Sequence, residues 1–421
     1  MEKQYLNDNQ EATVFEKKVV FAYLFLILPL FDMLNGFLVV GGYIPAGGLA
    51  SPSQLGRLIA TAMLLIVTYR HRLNVIWGLI VVYPLCVEVL AGFLHLNEYG
   101  FTYGIMSSYK LIYLFLMCKC FVFYIRKAKD IEILGAFLKT NLLLISCSLV
   151  FSLVTGLGND TYGHGFGTKG FFASGNSVGV YMGVCSLIML GLKRYGLYQN
   201  IRTSTLVFFA VSTAIIGSKT ALVFSLIMFF FLVWSSKYRY IAMTLLIGAF
   251  ILLLPKFIDI FSVVFDIVVQ RYELSENIVA FLGSGRVSFV EEAFRVFFAQ
   301  ADTAMRLVFG SGAFLSFQDP VNVSVFDTLE TDIFDVLFMY GIIGLVVYLC
   351  FFSHLIVLLK SYPIFLFAIT LLFCHSLFAG HVLFNGLSAF VIAILSVIAN
   401  YTKQAKFQRR RFANKNAINE N

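Results

Sequence analysis

The chain has 421 residues, of which 59% are hydrophobic and only 13% charged, and its mean hydropathy is +0.86. A soluble domain carries about twice that charged fraction, which excludes an ordinary soluble fold. The net charge of +8 is then no sign of nucleic-acid binding, because Lys and Arg in so apolar a chain mark cytoplasmic loops.

Runs of about 20 apolar residues recur along the chain, each long enough to cross a bilayer as a helix. They predict twelve spans, at 19–40, 55–69, 74–94, 106–125, 134–156, 177–192, 203–217, 219–235, 241–255, 333–358, 364–378 and 383–401. The first follows a polar leader ending in Lys17-Lys18 and lacks a small-residue cleavage site, so no cleavable signal peptide is expected. Every second connection is basic: Lys17-Lys18, Arg70-His71-Arg72, Arg126 with Lys127 and Lys129, Lys193-Arg194 with Arg202, Lys237 with Arg239, Lys360, and the tail from Lys403 to Arg411. This alternation holds for all twelve spans and places both termini in the cytoplasm. The basic tail at 402–421 reads as a topology anchor on anionic lipid. All seven cysteines lie in apolar runs, with no CxxC and no His near the closest pair, Cys118 and Cys120, which argues against a metal site or disulfide framework. The expected architecture is a single all-α polytopic membrane domain over 1–421.

Most outer connections are short, but the one at 256–332 is long, and it carries five basic and eleven acidic residues. Within it, IDIFSVVFDIVVQRY and RVSFVEEAFRVFFA space apolar residues as amphipathic helices, lying on the outer membrane surface or packed over the spans. No internal repeat relates two halves of the chain, which weighs against an alternating-access transporter or a lipid-linked glycan flippase.

Several ionisable residues sit within or at the lip of spans. Asp32 is thirteen residues into the first, about 20 Å deep at 1.5 Å per residue, and Glu88 is at similar depth in the third. Arg57, Lys110 and Lys219 lie near outer ends, and His381 at the outer start of the twelfth span. Charge at membrane depth pairs or lines a cavity, so structural ion pairs and a polar cavity opening outward are the two readings.

Four motifs follow in order. Lys169 to Tyr181, KGFFASGNSVGVY, comes after a glycine-rich loop and opens a helix whose N-terminus offers free N–H groups to an anion; a glycine turn capped by Asn176 is the plainer alternative. Ser218-Lys219 occupies a tight outer turn. Arg286 follows a Gly-Ser-Gly turn at the start of a loop helix and suits a bidentate phosphate or carboxylate contact, with pairing to Glu291 or Glu292 as the alternative. Finally, ETDIFDVLFMYGIIG puts Glu330, Asp332 and Asp335 ahead of an apolar run in which Gly341 and Gly344 allow close helix approach. The helix dipole explains Asp332 in the first turn better than Asp335.

Taken together and in this order, these motifs over residues 165–350 resemble the O-antigen ligase/polymerase superfamily of membrane glycosyltransferases, whose fold is GT-C-like. Two departures stand out: an outer-turn Arg of that family is Lys219 here, and the loop His of its ligase branch falls on Glu330. Glu330, with the AGHVL element at His381, is more similar to the repeat-unit polymerases of capsule, exopolysaccharide and O-antigen pathways; ligase-type transfer to another acceptor is the alternative. The resemblance implies glycosyl transfer without a metal or other cofactor at the outer face of a bacterial cytoplasmic membrane. The implied donor is an undecaprenyl-diphosphate-linked oligosaccharide, with a flippase and a chain-length regulator as partners. Arg286, Lys219, Lys169 and Arg57, with Asn176, would hold the diphosphate and glycan. Glu330, backed by Asp332 and His381, would take the acceptor proton.

Overall fold

The computed structural model describes residues 13–45, 51–73, 78–95, 98–161, 167–234, 239–241, 244, 248, 251, 286–299, 302–313, 329, 331–380 and 382–419; at 79–81, 92–95, 98–100, 286–289 and 404–419 it describes the backbone alone. The described helices are α1 (Thr13–Val40), α2 (Pro52–Arg70), α3 (Gly78–His95), α4 (Glu98–Tyr124), α5 (Ala128–Thr155), α6 (Gly175–Arg194), α7 (Thr203–Ile215), α8 (Lys219–Trp234), α9 (Arg286–Phe298), α10 (Thr303–Phe309), α11 (Asp332–Leu359), α12 (Pro363–Ala379) and α13 (Gly386–Asn419). Among the described residues there is no strand, only an isolated bridge between Asp160 and Thr168. Among the described residues, six helices are long and apolar enough to cross a bilayer: α1, α4, α5, α6, α11 and the first part of α13. The chain is an all-α, multi-pass membrane protein. Each segment read as a span coincides with a described helix, except that at 241–255, most of which lies outside the described residues.

The central column is α6, 94% of whose apolar window is buried, against 22% for α11. Its glycines let neighbours close in: a Cβ on Gly183 would sit 2.3 Å from the Phe224 ring of α8, and one on Gly191 2.3 Å from the Phe365 ring of α12. At the end of the bundle where α1 begins, Glu16 accepts from Tyr124 and pairs with Arg70 and His71, while Lys17 pairs with Asp130. Three of the basic connections expected on one side are thereby tied together.

Proline inside α1 is matched elsewhere. Pro29 has no N–H to give the Phe25 carbonyl four residues back, and a π-helical turn at Tyr23–Ile27 precedes it. The side chain of Asn141 in α5 donates to that carbonyl at 2.6 Å, and Tyr181 of α6 donates to Asn141 at 2.7 Å. In hydrocarbon a freed carbonyl needs such a partner, so one proline accounts for a buried polar chain across three helices.

Helix α11 is broken at Gly341 (φ 65°, ψ −170°). A break leaves the preceding carbonyls without intrahelical partners. The return of the long loop supplies them: Ser311 N–H donates to Phe338 at 3.2 Å and Gly312 N–H to Met339 at 3.0 Å. Tyr83 Oη lies 2.7 Å from the Phe309 carbonyl and 3.1 Å from that of Tyr340, its one proton shared between them. Glu88 then accepts the Ala313 N–H at 2.9 Å, in a nook that Gly104 and Gly312 leave open. Its depth in α3 thus has a structural use, fastening the loop to the bundle.

The expectation that Gly341 and Gly344 allow close helix approach holds at Gly341 and is corrected at Gly344. Gly341 meets the backbone of α10, where a Cβ would lie 2.3 Å from Val308 O, and Gly344 faces its own helix at Tyr340. Because both the positive φ and the backbone contact forbid a side chain, Gly341→Ala is expected to destabilise the protein by roughly 2–4 kcal/mol. Thermal unfolding of the purified variant in detergent measures this, and an unchanged midpoint would show that the break is not strained.

The loop helix read from RVSFVEEAFRVFFA is α9, and of the two placements expected it takes the packed one. Ala293, Val296 and Phe297 are buried, and Phe294 and Phe297 set their rings 5.0 and 4.9 Å from that of Phe338. On its outer face Glu292 pairs with Arg295, whose hydrogen bond holds the Glu292 carboxyl below its ordinary range. The companion segment IDIFSVVFDIVVQRY lies outside the described residues.

Candidate functional site

One short segment organises the end of the bundle opposite Glu16. After α12 stops at Gly380 (φ 59°), the chain runs through Val382 to Asn385 before α13 starts at Gly386, three residues later than the apolar run at 383 predicts. Asp332, first residue of α11 and fully buried, fastens this segment. Its Oδ2 accepts the N–H groups of Val382 and Leu383 at 3.0 and 3.1 Å and the hydroxyl of Ser376, which in turn receives a hydrogen bond from Tyr348 at 2.9 Å. The helix dipole is therefore only part of the reason for an acid here. Asp335 does parallel work, accepting the Leu329 N–H at 2.8 Å and closing the loop onto the helix start.

Next along the segment, Asn385 donates to Ser177 of α6 at 2.8 Å and accepts from its own Leu387 N–H at 2.9 Å. The cap of α6 is Ser174, whose hydroxyl accepts the Ser177 N–H. The expected cap Asn176 is corrected by this: it stands one residue into the helix, with its side chain exposed. Gly386 follows, and a Cβ there would lie 1.9 Å from Nε of Arg57 in α2.

Arg57 and Asp32 pair at 2.8 Å, with the Arg57 side chain 15% and that of Asp32 8% exposed. Ser53 bridges them, donating to Asp32 Oδ1 at 2.5 Å and accepting from Arg57 Nη1. Both terminal nitrogens of the guanidinium are thus occupied within the protein. Beside the pair is a small cleft of about 20 Å³, room for about one water, lined by Gln54, Arg57, Tyr109, Tyr113, Asn385 and Gly386, with Lys110 and Phe384 completing it. Of the two readings of charge at membrane depth, ion pair and polar cavity, both describe this place.

Of the two lysines of the candidate set, one stands in the loop before α6 and the other at the start of α8. Lys169 is half-buried in the loop that leads into α6, and Lys219 is exposed as first residue of α8, behind the buried Ser218 whose hydroxyl accepts the Ala221 N–H at 3.2 Å. Thr168 N–H donates to the Ile215 carbonyl at 3.0 Å and the Thr161 hydroxyl to Ile216 at 2.6 Å, which joins the glycine-rich loop to the turn before α8. At Gly179 the absence of a side chain lets Ser218 reach α6, since a Cβ would lie 3.0 Å from its hydroxyl oxygen.

Arg286 is the first residue of α9, and its side chain is outside the described part. Glu330 and His381 lie outside the described residues. Among the described residues no three His, Cys, Asp or Glu side chains converge as a metal centre requires. Gln54, Tyr109, Tyr113, Asn385 and Gly386 were not among the sequence candidates; the Asn-Gly step at 385–386 is the one visible signal, hidden by reading a continuous span from 383.

In comparisons with known proteins, no family model matches the chain and no curated sequence matches it.

Proposed function

We propose that the protein is a polysaccharide repeat-unit polymerase, a twelve-span, GT-C-like glycosyltransferase of a bacterial cytoplasmic membrane with both termini in the cytoplasm. The support is the ordered resemblance of four motifs, together with one structural observation. The segment 382–386 ties the helix start carrying Asp332 to the N-terminus of α6 and lies against the half-buried Arg57, beside a small cleft. Such a junction at the end of an apolar bundle is costly unless it is used.

In this reading a sugar hydroxyl of one lipid-linked repeat attacks the anomeric carbon of the growing glycan on undecaprenyl diphosphate. The new glycosidic bond forms as the bond to the diphosphate breaks. Glu330 takes the hydroxyl proton, and undecaprenyl diphosphate departs with the electron pair. Arg286, Lys219 and Lys169 stabilise the charge that gathers on the leaving phosphate oxygens. One displacement of this kind inverts the anomeric centre.

Surface glycan from a deletion strain, separated on a gel, tests the proposal. The expected result is single-repeat product in place of the ladder, restored by the wild-type gene but not by Arg286→Ala, Lys219→Ala or Glu330→Gln at equal membrane abundance. Unattached long chains in the deletion strain would instead indicate a ligase, and a normal ladder would remove the reading altogether. A normal ladder from Glu330→Gln alone would remove Glu330 as the base.

A further inference from the structure

The long loop returns to the bundle through α10, and the two faces of this helix are the reverse of what water favours. Met305, Val308 and Phe309 are exposed, Met305 by 66%, and spacings of three and four residues put them on one face. The single cation of the helix is turned away: the Arg306 side chain is only 11% exposed and pairs with Asp302 at 2.7 Å. A helix in water shows its charge and covers its apolar face. Where the surroundings are acyl chains, the opposite arrangement is the favourable one. Phe298, at the end of α9 and shortly before α10, is exposed as well. Apolar side chains grouped in this way mark a contact with protein or membrane.

The position of α10 decides between these partners. It touches α11 at the break, where a Cβ on Gly341 would lie 2.3 Å from Val308 O. Just past the break, Ile342, Ile343 and Val346 are exposed too. They belong to a helix long and apolar enough to cross the bilayer, so their exposed surface faces acyl chains. From Gly341 to its end at Leu359, α11 rises roughly 28 Å at 1.5 Å per residue, close to the ~30 Å thickness of the hydrocarbon layer. The break thus falls at the edge of that layer, with α10 beside it at the level of the headgroups. Asp302 and Arg306 neutralise each other there, which lowers the cost of holding charge so near to lipid. On the protein side Tyr83 holds the Phe309 carbonyl and Glu88 the Ala313 N–H, which fixes the segment that carries α10 against the bundle. We infer that α10 is an interfacial membrane helix, with Met305, Val308 and Phe309 seated among the acyl chains of bulk phospholipid at the end of the bundle opposite Glu16. Of the two placements expected for loop helices, α9 takes the packed one and α10 the lipid surface. The return of the long loop is then part of the membrane-embedded body. This placement does not rest on the glycosyl-transfer reading.

Tryptophan fluorescence of the full-length protein tests it. The two native tryptophans, Trp77 and Trp234, are replaced by Phe, and a single Trp is introduced as Met305→Trp or as Phe309→Trp. Each protein is placed in nanodiscs of phosphatidylcholine, either plain or brominated near the top of the acyl chains, and aqueous iodide is titrated in parallel. The expected result is loss of most of the emission in brominated lipid, with little loss to iodide at concentrations that quench free tryptophan. Quenching by iodide that equals or exceeds quenching by bromine would put this face in water and overturn the inference. Quenching by neither would mean that protein covers the face, a second copy or another part of the loop, and would overturn it equally. Phe309→Trp exchanges one aromatic ring for another, so it carries the test if Met305→Trp does not fold.

Discussion

Asp332→Ala is expected to unfold the junction while Asp332→Asn largely preserves it. One carboxylate oxygen holds two backbone N–H groups and the Ser376 hydroxyl in a fully buried place. Alanine leaves these three donors unpaired at about 1–3 kcal/mol each, for a total of about 3–9 kcal/mol. A protein stable by about 5–15 kcal/mol loses most of its margin to such a change. Asparagine keeps an acceptor oxygen in the same place and gives up only the charge assistance, about 1–2 kcal/mol. Thermal unfolding in detergent should therefore separate the two variants widely, with wild type close to Asp332→Asn. The glycan ladder separates clamp from base. A general base is silenced by asparagine as thoroughly as by alanine. A ladder from Asp332→Asn that approaches wild type assigns Asp332 to holding the 382–383 segment, whereas a folded, silent Asp332→Asn returns it to the chemistry.

Sequence shows the helices better than it shows the junction, for a physical reason. Spans and the packed loop helix α9 follow from local periodicity, which depends on residues within a few turns of one another. The clamp at Asp332 depends on partners fifty residues away whose contribution is backbone N–H, and backbone donors leave no trace in residue identity. Gly341 shows the same limit. Gly-Ile-Ile-Gly in an apolar run reads as a small-residue contact between helices. That the contact is with α10, and that the positive φ of Gly341 breaks α11 there, becomes visible only with the α10 backbone lying against it. Asn385 was hidden because the apolar residues around it satisfy a span whether the helix starts at 383 or at 386. Arg57 and Asp32 were half legible: their depth required a partner or a cavity, and depth alone did not say that one guanidinium would face both. Lys219 stands at a helix start as the sequence suggests, whereas Lys169 lies in the loop before α6, and their joining through Thr168 and Ile215 is again a backbone contact.

The Arg57–Asp32 pair offers the test that separates bracing from recognition. Asp32→Ala leaves a guanidinium in a nearly closed site with Ser53 as its remaining partner, and removing one member of a buried pair costs about 3–5 kcal/mol. Arg57→Ala leaves the carboxylate with the Ser53 hydroxyl and is expected to cost a similar amount. Removing both charges takes away the penalty along with the attraction, so the double variant Asp32→Ala/Arg57→Ala should be destabilised by less than the sum, with a coupling of about 2 kcal/mol. Unfolding midpoints of the four proteins in one detergent give that cycle. Glycan output is expected to diverge from stability. If the pair only braces α1 against α2, the double variant recovers ladder length in step with its recovered fold. If Arg57 also contacts substrate, the double variant folds better than Asp32→Ala and still makes no ladder, because the guanidinium is gone. Recovered ladder in the double variant would confine Arg57 to bracing. A folded but silent double variant is the expected result, since Arg57 both pairs with Asp32 and lines the cleft beside Asn385 and Gly386.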